Sequence, residues 1–179
     1  AGVPFGTGQP NLMTCPQEAA QFWNEHARKS AFSSGYKDPN VECLEWTAIE
    51  KVVNQILGGL SKSPQQLSCF ENGCHLGYTT RRLFQLIQPK NYLAIDVSEP
   101  AIQGANRFRQ EFGFEPVRLV LASTSAVPVA SESFDLSFSI RCIQNVVVPE
   151  DQVKALREAH RILRPGGHLV LLENWQESL

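Results

Sequence analysis

The sequence predicts an α/β fold, a three-layer α/β/α sandwich around a parallel sheet, and two observations carry that expectation. From residue 67 onward, five short apolar runs alternate with stretches of helical length. Strands separated by helices pair in parallel through right-handed crossovers. The first apolar run also ends in a glycine-rich turn, "ENGCHLG" (71–77), that leads straight into a helical pattern. In an open parallel sheet that junction lies at the carboxyl ends of the strands, where ligands bind.

Each element follows in order. Residues 1–16 are rich in Gly, Pro and Thr and read as a loose arm. "PQEAAQFWNEHARK" (16–29) spaces Ala19, Phe22, Trp23 and Ala27 as one helical face. "SAFSSGYKDPN" is a loop. "VECLEWTAIEKVVNQILGGL" puts Leu44, Ile49, Val52, Val53, Ile56 and Leu57 on one broad stripe and stops at Gly58-Gly59, a helix with a clear end. "LSCFE" (67–71) reads as the first strand, and 77–88 as a helix stopped by Pro89. "YLAID" (92–96) is the second strand, followed by a helix over 99–111 that ends at Gly113. "VRLVL" (117–121) and "FDLSFS" (134–139) are the third and fourth strands. A helix over 149–164 is closed by "RPGG", and "HLVLLE" (168–173) is the fifth strand.

Bulk properties narrow the function classes. A chain of 179 residues forms one domain with a proper core. Residues 1–62 supply an arm and lead-in helices, and 63–179 the ligand-binding core. With 42% apolar and 19% charged residues and a net charge of −2, nothing favours a nucleic-acid partner. The basic pairs Arg81-Arg82 and Arg107/Arg109 read as solvated helix faces. No run is long enough to span a membrane, and no charged segment followed by an apolar stretch opens the chain. Cys15 lies in the arm, while Cys43, Cys69, Cys74 and Cys142 sit in or beside apolar runs with no C-x-x-C spacing. No metal site is indicated, and buried free thiols in a reducing, cytoplasmic setting are the simplest account.

The strand ends gather the chemistry-bearing residues. Gly73 lets backbone approach a ligand, and Gly77 lets the next helix start close to the sheet. Asp96 ends the second strand, where a carboxylate can accept both hydroxyls of a ribose. The stretch after Leu121 and residues 139–145 complete the crevice. No Ser-His-Asp or Cys-His set is visible. Trp23 and Trp46 read as core anchors, and His160 and His168 as a helix-face and a strand-start residue. Arg141 faces the crevice mouth, where it could meet an anionic substrate or form an ion pair.

"FENGCHLG" resembles the first motif of class I S-adenosylmethionine-dependent methyltransferases. "YLAIDVSEPAIQGANRF" is similar to their second motif, and "SFDLSFSIRCIQNV" with "REAHRILRPGG" to their later ones. The resemblance covers roughly 66–174 and implies a Rossmann-like sheet ordered 3-2-1-4-5, S-adenosylmethionine as cofactor, and a small-molecule acceptor methylated at oxygen or nitrogen. It implies that Glu71 orients the loop and reaches the methionine amino group, directly or through water. Gly73 and Gly77, with Cys74 and His75 between them, line the methionine and ribose portion. Asp96 binds the ribose, Val97 packs on the adenine, Ser123 and Thr124 read its edge, and Ser139 and Ile140 flank the transferred methyl.

Four departures qualify that pattern. His75 replaces the middle glycine, and either its backbone cradles the ligand while the ring turns aside or the ring acts as a base. His26, on a helix that covers the cofactor in many relatives, is a second place to look for one. Ser123 stands in place of an Asp, and Gln144-Asn145 in place of paired histidines. Two strands that normally follow the fifth are absent from the sequence, so the chain reads as truncated, or a partner chain or second copy covers the fifth-strand edge. Two other functions compete. A non-catalytic relative would use the same frame for binding, and a nicotinamide-dependent oxidoreductase would share the glycine turn, although its G-x-G-x-x-G spacing is missing here.

Overall fold

The computed structural model describes residues 16–29, 39–114 and 116–173. The expected arm through Cys15, most of the loop at 30–38, and Trp175, which follows the fifth expected strand and could cap its edge, lie outside the described residues. Two helices come first, α1 (Pro16–Lys29) and α2 (Pro39–Gly59). Next come β1 (Ser68–Asn72), α3 (Tyr78–Ile87), β2 (Asn91–Asp96), α4 (Glu99–Phe112), β3 (Val117–Leu121), β4 (Phe134–Ile140), α5 (Pro149–Ile162) and β5 (Leu163–Leu172). All strand pairs are parallel, in the order β3-β2-β1-β4-β5. The predicted α/β class and strand order therefore hold.

The sheet is covered on both faces. On one, Ile49 and Val53 of α2, Leu83 and Ile87 of α3, and Phe114 pack on Cys69, Tyr92, Leu136 and Phe138. On the other, Phe70, Leu93, Ile95 and Phe134 pack against Ile162 of α5 and Val127. The strands β1 and β4 are buried along both faces, and their polar side chains Glu71, Asn72, Asp135, Ser137 and Ser139 are buried with the apolar ones. No helix links β3 to β4. The segment 122–133 covers that face instead, and α5 secures it. Glu158 accepts the Val127 amide at 2.8 Å, and Arg161 donates to the Val127 and Val129 carbonyls at 3.1 and 2.8 Å.

Three expectations need correcting. Leu44 and Val52 are 72% and 42% exposed, and Cys43 is exposed as well. The buried stripe of α2 is narrower, running through Ile49, Val53, Ile56 and Leu57, because a helix lying on a sheet buries only one side. The second helix also begins at Pro39, two residues inside the expected loop, with proline at a helix start where its missing N–H costs nothing. "RPGG" does not close α5 outside the sheet. It is a bulge within β5, where Phe134 faces Leu163 and Leu136 faces His168, with Gly166 at φ 77°. Arg164 in the bulge is held by Asp135 at 2.7 Å.

The basic pairs are more occupied than solvated faces would be. Arg81 lies over Phe112, Arg82 over Trp46, and Arg109 donates to the Val117 carbonyl. Trp46 is thus an anchor beside the core, as its position on the helix suggested. His160 and His168 are exposed on α5 and β5.

Candidate functional site

The turn after β1 is built by backbone geometry. Gly73 (φ 71°), His75 (φ 45°) and Gly77 (φ 89°) all take the left-handed conformation. The amides of Gly73 and Cys74 both donate to the Ile95 carbonyl at 2.9 Å, which ties the turn to the end of β2. Histidine fills the middle glycine's place at a modest cost because its backbone amide gains a charge-assisted partner: it donates to Asp96 Oδ2 at 2.8 Å. The other Asp96 oxygen accepts the Ser98 amide at 2.9 Å, and Ser98 in turn caps α4. Burial pushes the Asp96 carboxyl up from its usual range, against the opposing pull of the Ser98, His75 and Val97 amides.

The turn, Asp96 and the segment after β4 enclose a cavity of about 320 Å³ at the carboxyl ends of the strands. Of the residues singled out from sequence, Gly73, Cys74, His75, Asp96, Val97, Ser123, Thr124 and Ile140 line it. Glu71, Gly77 and Ser139 do not. Glu71 is buried beneath the turn and accepts the Tyr92 hydroxyl at 3.0 Å. Burial raises its carboxyl to about 7, although the Thr80 and Tyr92 hydroxyls pull the other way. Gly77 lies behind the wall against α4, where an added Cβ would touch Ala105 at 3.4 Å. Gly73 serves a different neighbour from the one expected. A Cβ there would stand 2.5 Å from Cys142 Sγ, so its missing side chain makes room for the protein's own thiol.

Sequence reasoning missed Glu173. Its carboxylate accepts the Ser139 hydroxyl at 2.6 Å and the amides of Cys142, Ile143 and Gln144 at 3.3, 3.1 and 3.2 Å. It therefore holds the turn that follows β4, which carries Arg141, Gln144 and Asn145 on the cavity wall. The available signal was an acidic residue ending β5, beside the end of β4. Asn145 adds a bond to the Arg141 carbonyl at 2.6 Å, in keeping with the positive φ of Arg141 (55°).

Helix α1 closes the cavity from above. It packs on α4 and presents Ala19, Ala20, Trp23 and His26 to the interior. Trp23 is a cavity residue and not the core anchor its apolar stripe suggested. His26 Nδ1 lies 3.4 Å from His75 Nε2, and the Trp23 ring packs edge-on to both imidazoles. The His75 ring thus turns toward α1, where burial and then the charge of His26 push it down to about 4. Among the described residues, no group of three or more His, Cys, Asp or Glu side chains could hold a metal.

Comparison with known proteins agrees with this geometry. A methyltransferase domain family model matches residues 70–171. The mitochondrial 2-methoxy-6-polyprenyl-1,4-benzoquinol methylase of Caenorhabditis elegans is 30% identical over 120 residues, covering 65% of this chain and 41% of that protein. A ubiquinone/menaquinone biosynthesis C-methyltransferase of Hahella chejuensis is 31% identical over 99 residues, covering 54% and 39%. The chain thus spans about two fifths of the length of these curated relatives. A crystal structure of a SAM-dependent methyltransferase from Aquifex aeolicus superposes with a TM-score of 0.58 at 20% identity, covering 69% of this chain and 62% of that one. At that identity the likeness concerns the fold. With a strand-end cavity, a glycine turn tied to Asp96 and a family match over most of the sheet, the chain belongs to the methyltransferase domain family, of the class I S-adenosylmethionine-dependent type.

Proposed function

We propose that this chain binds S-adenosylmethionine in the strand-end cavity and methylates a ring carbon of a small, apolar, hydroquinone-like acceptor. The observation that carries the reading is the meeting of the β1 turn, Asp96 and an apolar wall in one cavity. The residues present fit the cofactor. Each carboxylate oxygen of Asp96 has acceptor sites left after its backbone bond, enough for the two ribose hydroxyls. Val97, 46% exposed beside it, offers an apolar face to a base, and Ser123 and Thr124 offer hydroxyls to its edge. The volume suits a small-molecule site, for which about 300 Å³ is the lower end. Glu71 acts from beneath the turn, through the loop, because it is off the cavity wall.

Bound there, S-adenosylmethionine supplies an electrophilic methyl on a sulfonium whose thioether leaves without further activation. The protein's task is then alignment and exclusion of water. Trp23 and the run Val146, Val147 and Val148 provide a dry wall for an apolar acceptor. The named functions of the benzoquinol methylase and the C-methyltransferase support carbon over the oxygen or nitrogen expected from sequence. Isothermal titration with S-adenosylhomocysteine tests the site. Micromolar binding that is lost in Asp96→Ala supports it. One observation favours a non-catalytic binding module instead, since both Asp96 oxygens already accept backbone amides. Absence of binding by a folded chain would decide for that reading, and methylation of oxygen or nitrogen alone would displace the carbon acceptor.

A further inference from the structure

We propose that His26 and His75 act together as the base that takes the proton released by the methyl acceptor, an inference that rests on the methyl-transfer reading above. The two imidazoles line the same cavity and come from different elements, α1 and the β1 turn. Their facing nitrogens, His26 Nδ1 and His75 Nε2, are 3.4 Å apart. Two nitrogens at that separation hold one hydrogen between them, because one must donate and the other accept. A second proton on the contact would set two N–H groups head to head. The pair therefore has room for one positive charge, which is what a base needs to accept and return in each cycle.

The other ionisable groups around the cavity are poor candidates. Asp96 has both oxygens on backbone amides, and Asp151 is paired with Lys154 at 2.7 Å. Burial pushes the Cys74 and Cys142 thiols well up, and burial with Glu111 pushes the Tyr78 phenol up, so all three keep their protons near neutral pH. Arg141 is a donor only, and Glu71 lies off the wall beneath the turn. His75, held neutral by burial, is left as the acceptor on the turn, with His26 behind it.

The step balances. A hydroquinone hydroxyl gives its proton to the imidazole pair as the ring carbon forms a bond to the methyl, and the electron pair of the broken carbon–sulfur bond stays on sulfur. The ring carbon then loses its hydrogen as the hydroxyl is restored, so one proton is produced in each turnover, and the pair passes it to water. General-base catalysis by a positioned side chain contributes about 100-fold or more.

The test uses the full chain saturated with S-adenosylhomocysteine, with ring-nitrogen NMR of His26 and His75 across pH. Asparagine tolerates the positive φ of residue 75, so His75→Asn keeps the turn. The His75 midpoint, which burial and then the charge of His26 hold down, is expected to rise in His26→Asn, and His75→Asn is expected to lower methylation as His26→Asn does. A 6-alkyl-2-methoxy-1,4-benzoquinol serves as the acceptor probe. His26→Asn is expected to lower its methylation about 100-fold while S-adenosylhomocysteine affinity stays unchanged. A His75 midpoint that is unmoved or lowered in His26→Asn, or full turnover by His26→Asn, overturns the pair and leaves the methyl-transfer reading standing. Failure of the unsubstituted chain to bind S-adenosylhomocysteine overturns that reading first, and a bound chain that leaves the benzoquinol unmethylated overturns the acceptor class and the base with it.

Discussion

Gly73 is held to glycine by two independent requirements, a φ of 71° and the Cys142 thiol in the place of a Cβ. The backbone requirement alone costs an alanine about 1–2 kcal/mol, and the contact adds to it. Gly73→Ala is therefore expected to lower the melting temperature clearly. Adding Cys142→Ala should recover the thiol's part of the contact share only, because the Cys142 Cβ would still stand 2.7 Å from the new methyl, and should leave the backbone share. A double variant no more stable than Gly73→Ala in a thermal melt would show that the Cys142 thiol is not what fills the space. His75 illustrates the converse. It occupies a left-handed position that glycine would take freely, and the Asp96 carboxylate compensates by accepting its amide.

Two connections contain neither an α-helix nor a strand and are held by charged side chains from other elements. The segment 122–133 takes the place of a helix between β3 and β4, and Glu158 and Arg161 supply the partners its backbone would otherwise lack. The turn after β4 depends in the same way on Glu173, which accepts three amides and one hydroxyl. Bonds to a charged group are worth about 1.5–3 kcal/mol each where they are made well. Glu173→Ala should therefore free the turn more than it unfolds the sheet. The amides of residues 142–144 are expected to exchange hydrogen at least about tenfold faster, the change that 1.4 kcal/mol produces, with β1 and β2 unchanged. Equal acceleration throughout the sheet would mean that Glu173 supports global stability and not the cavity wall.

For the whole molecule, buried charge sets the pH dependence of stability. Asp135 accepts Lys62 and Arg164 at 2.6 and 2.7 Å and the Ser68 amide at 2.9 Å, joining the lead-in segment to β1 and β5. Burial works to raise its carboxyl, but these partners prevail and hold it below the ordinary range. Its contribution is present above the unfolded value of 3.8 and is lost as pH falls through the lower folded value. His75 and Glu71 act in opposite senses closer to neutrality. His75, lowered from 6.5 to about 4, makes the fold less stable as pH drops across that window. Glu71, raised from 4.5 to about 7, makes it less stable as pH climbs, by roughly 3 kcal/mol over the full span. Between about 4.5 and 6.5 the two slopes oppose each other. The unsubstituted chain should thus show a nearly flat stability there, and His75→Asn should lose stability steadily from pH 5 to 7. Parallel denaturant profiles for both proteins would refute the opposition.

Much of the fold was legible because it depends on local pattern. The lengths of the apolar runs, the prolines at helix starts and the glycines at helix ends and in the β1 turn are properties of neighbouring residues, and the first four strands fell within a residue of their expected bounds, while β5 begins five residues earlier than expected. The β5 bulge was not legible, because "RPGG" is a plausible helix stop until Asp135 on the next strand captures Arg164. The exposure of Leu44 and the cavity position of Trp23 depend on which side of a helix meets the sheet, which an apolar stripe alone does not specify.

By itself the sequence determined the α/β class, the strand order through its family resemblance, and part of the cavity lining, from the β1 turn and Asp96 to Ser123, Thr124 and Ile140. Only the tertiary structure decided that Glu71 lies below the turn, that Glu173 holds the opposite wall, and that His26 meets His75. These pairings join residues 21 to 49 positions apart, such as Tyr92 with Glu71, Ser139 with Glu173 and His26 with His75. Their cause is that parallel crossovers bring the strand ends to one edge of the sheet and α1 folds back over it, and no periodicity along the chain records a contact of that kind.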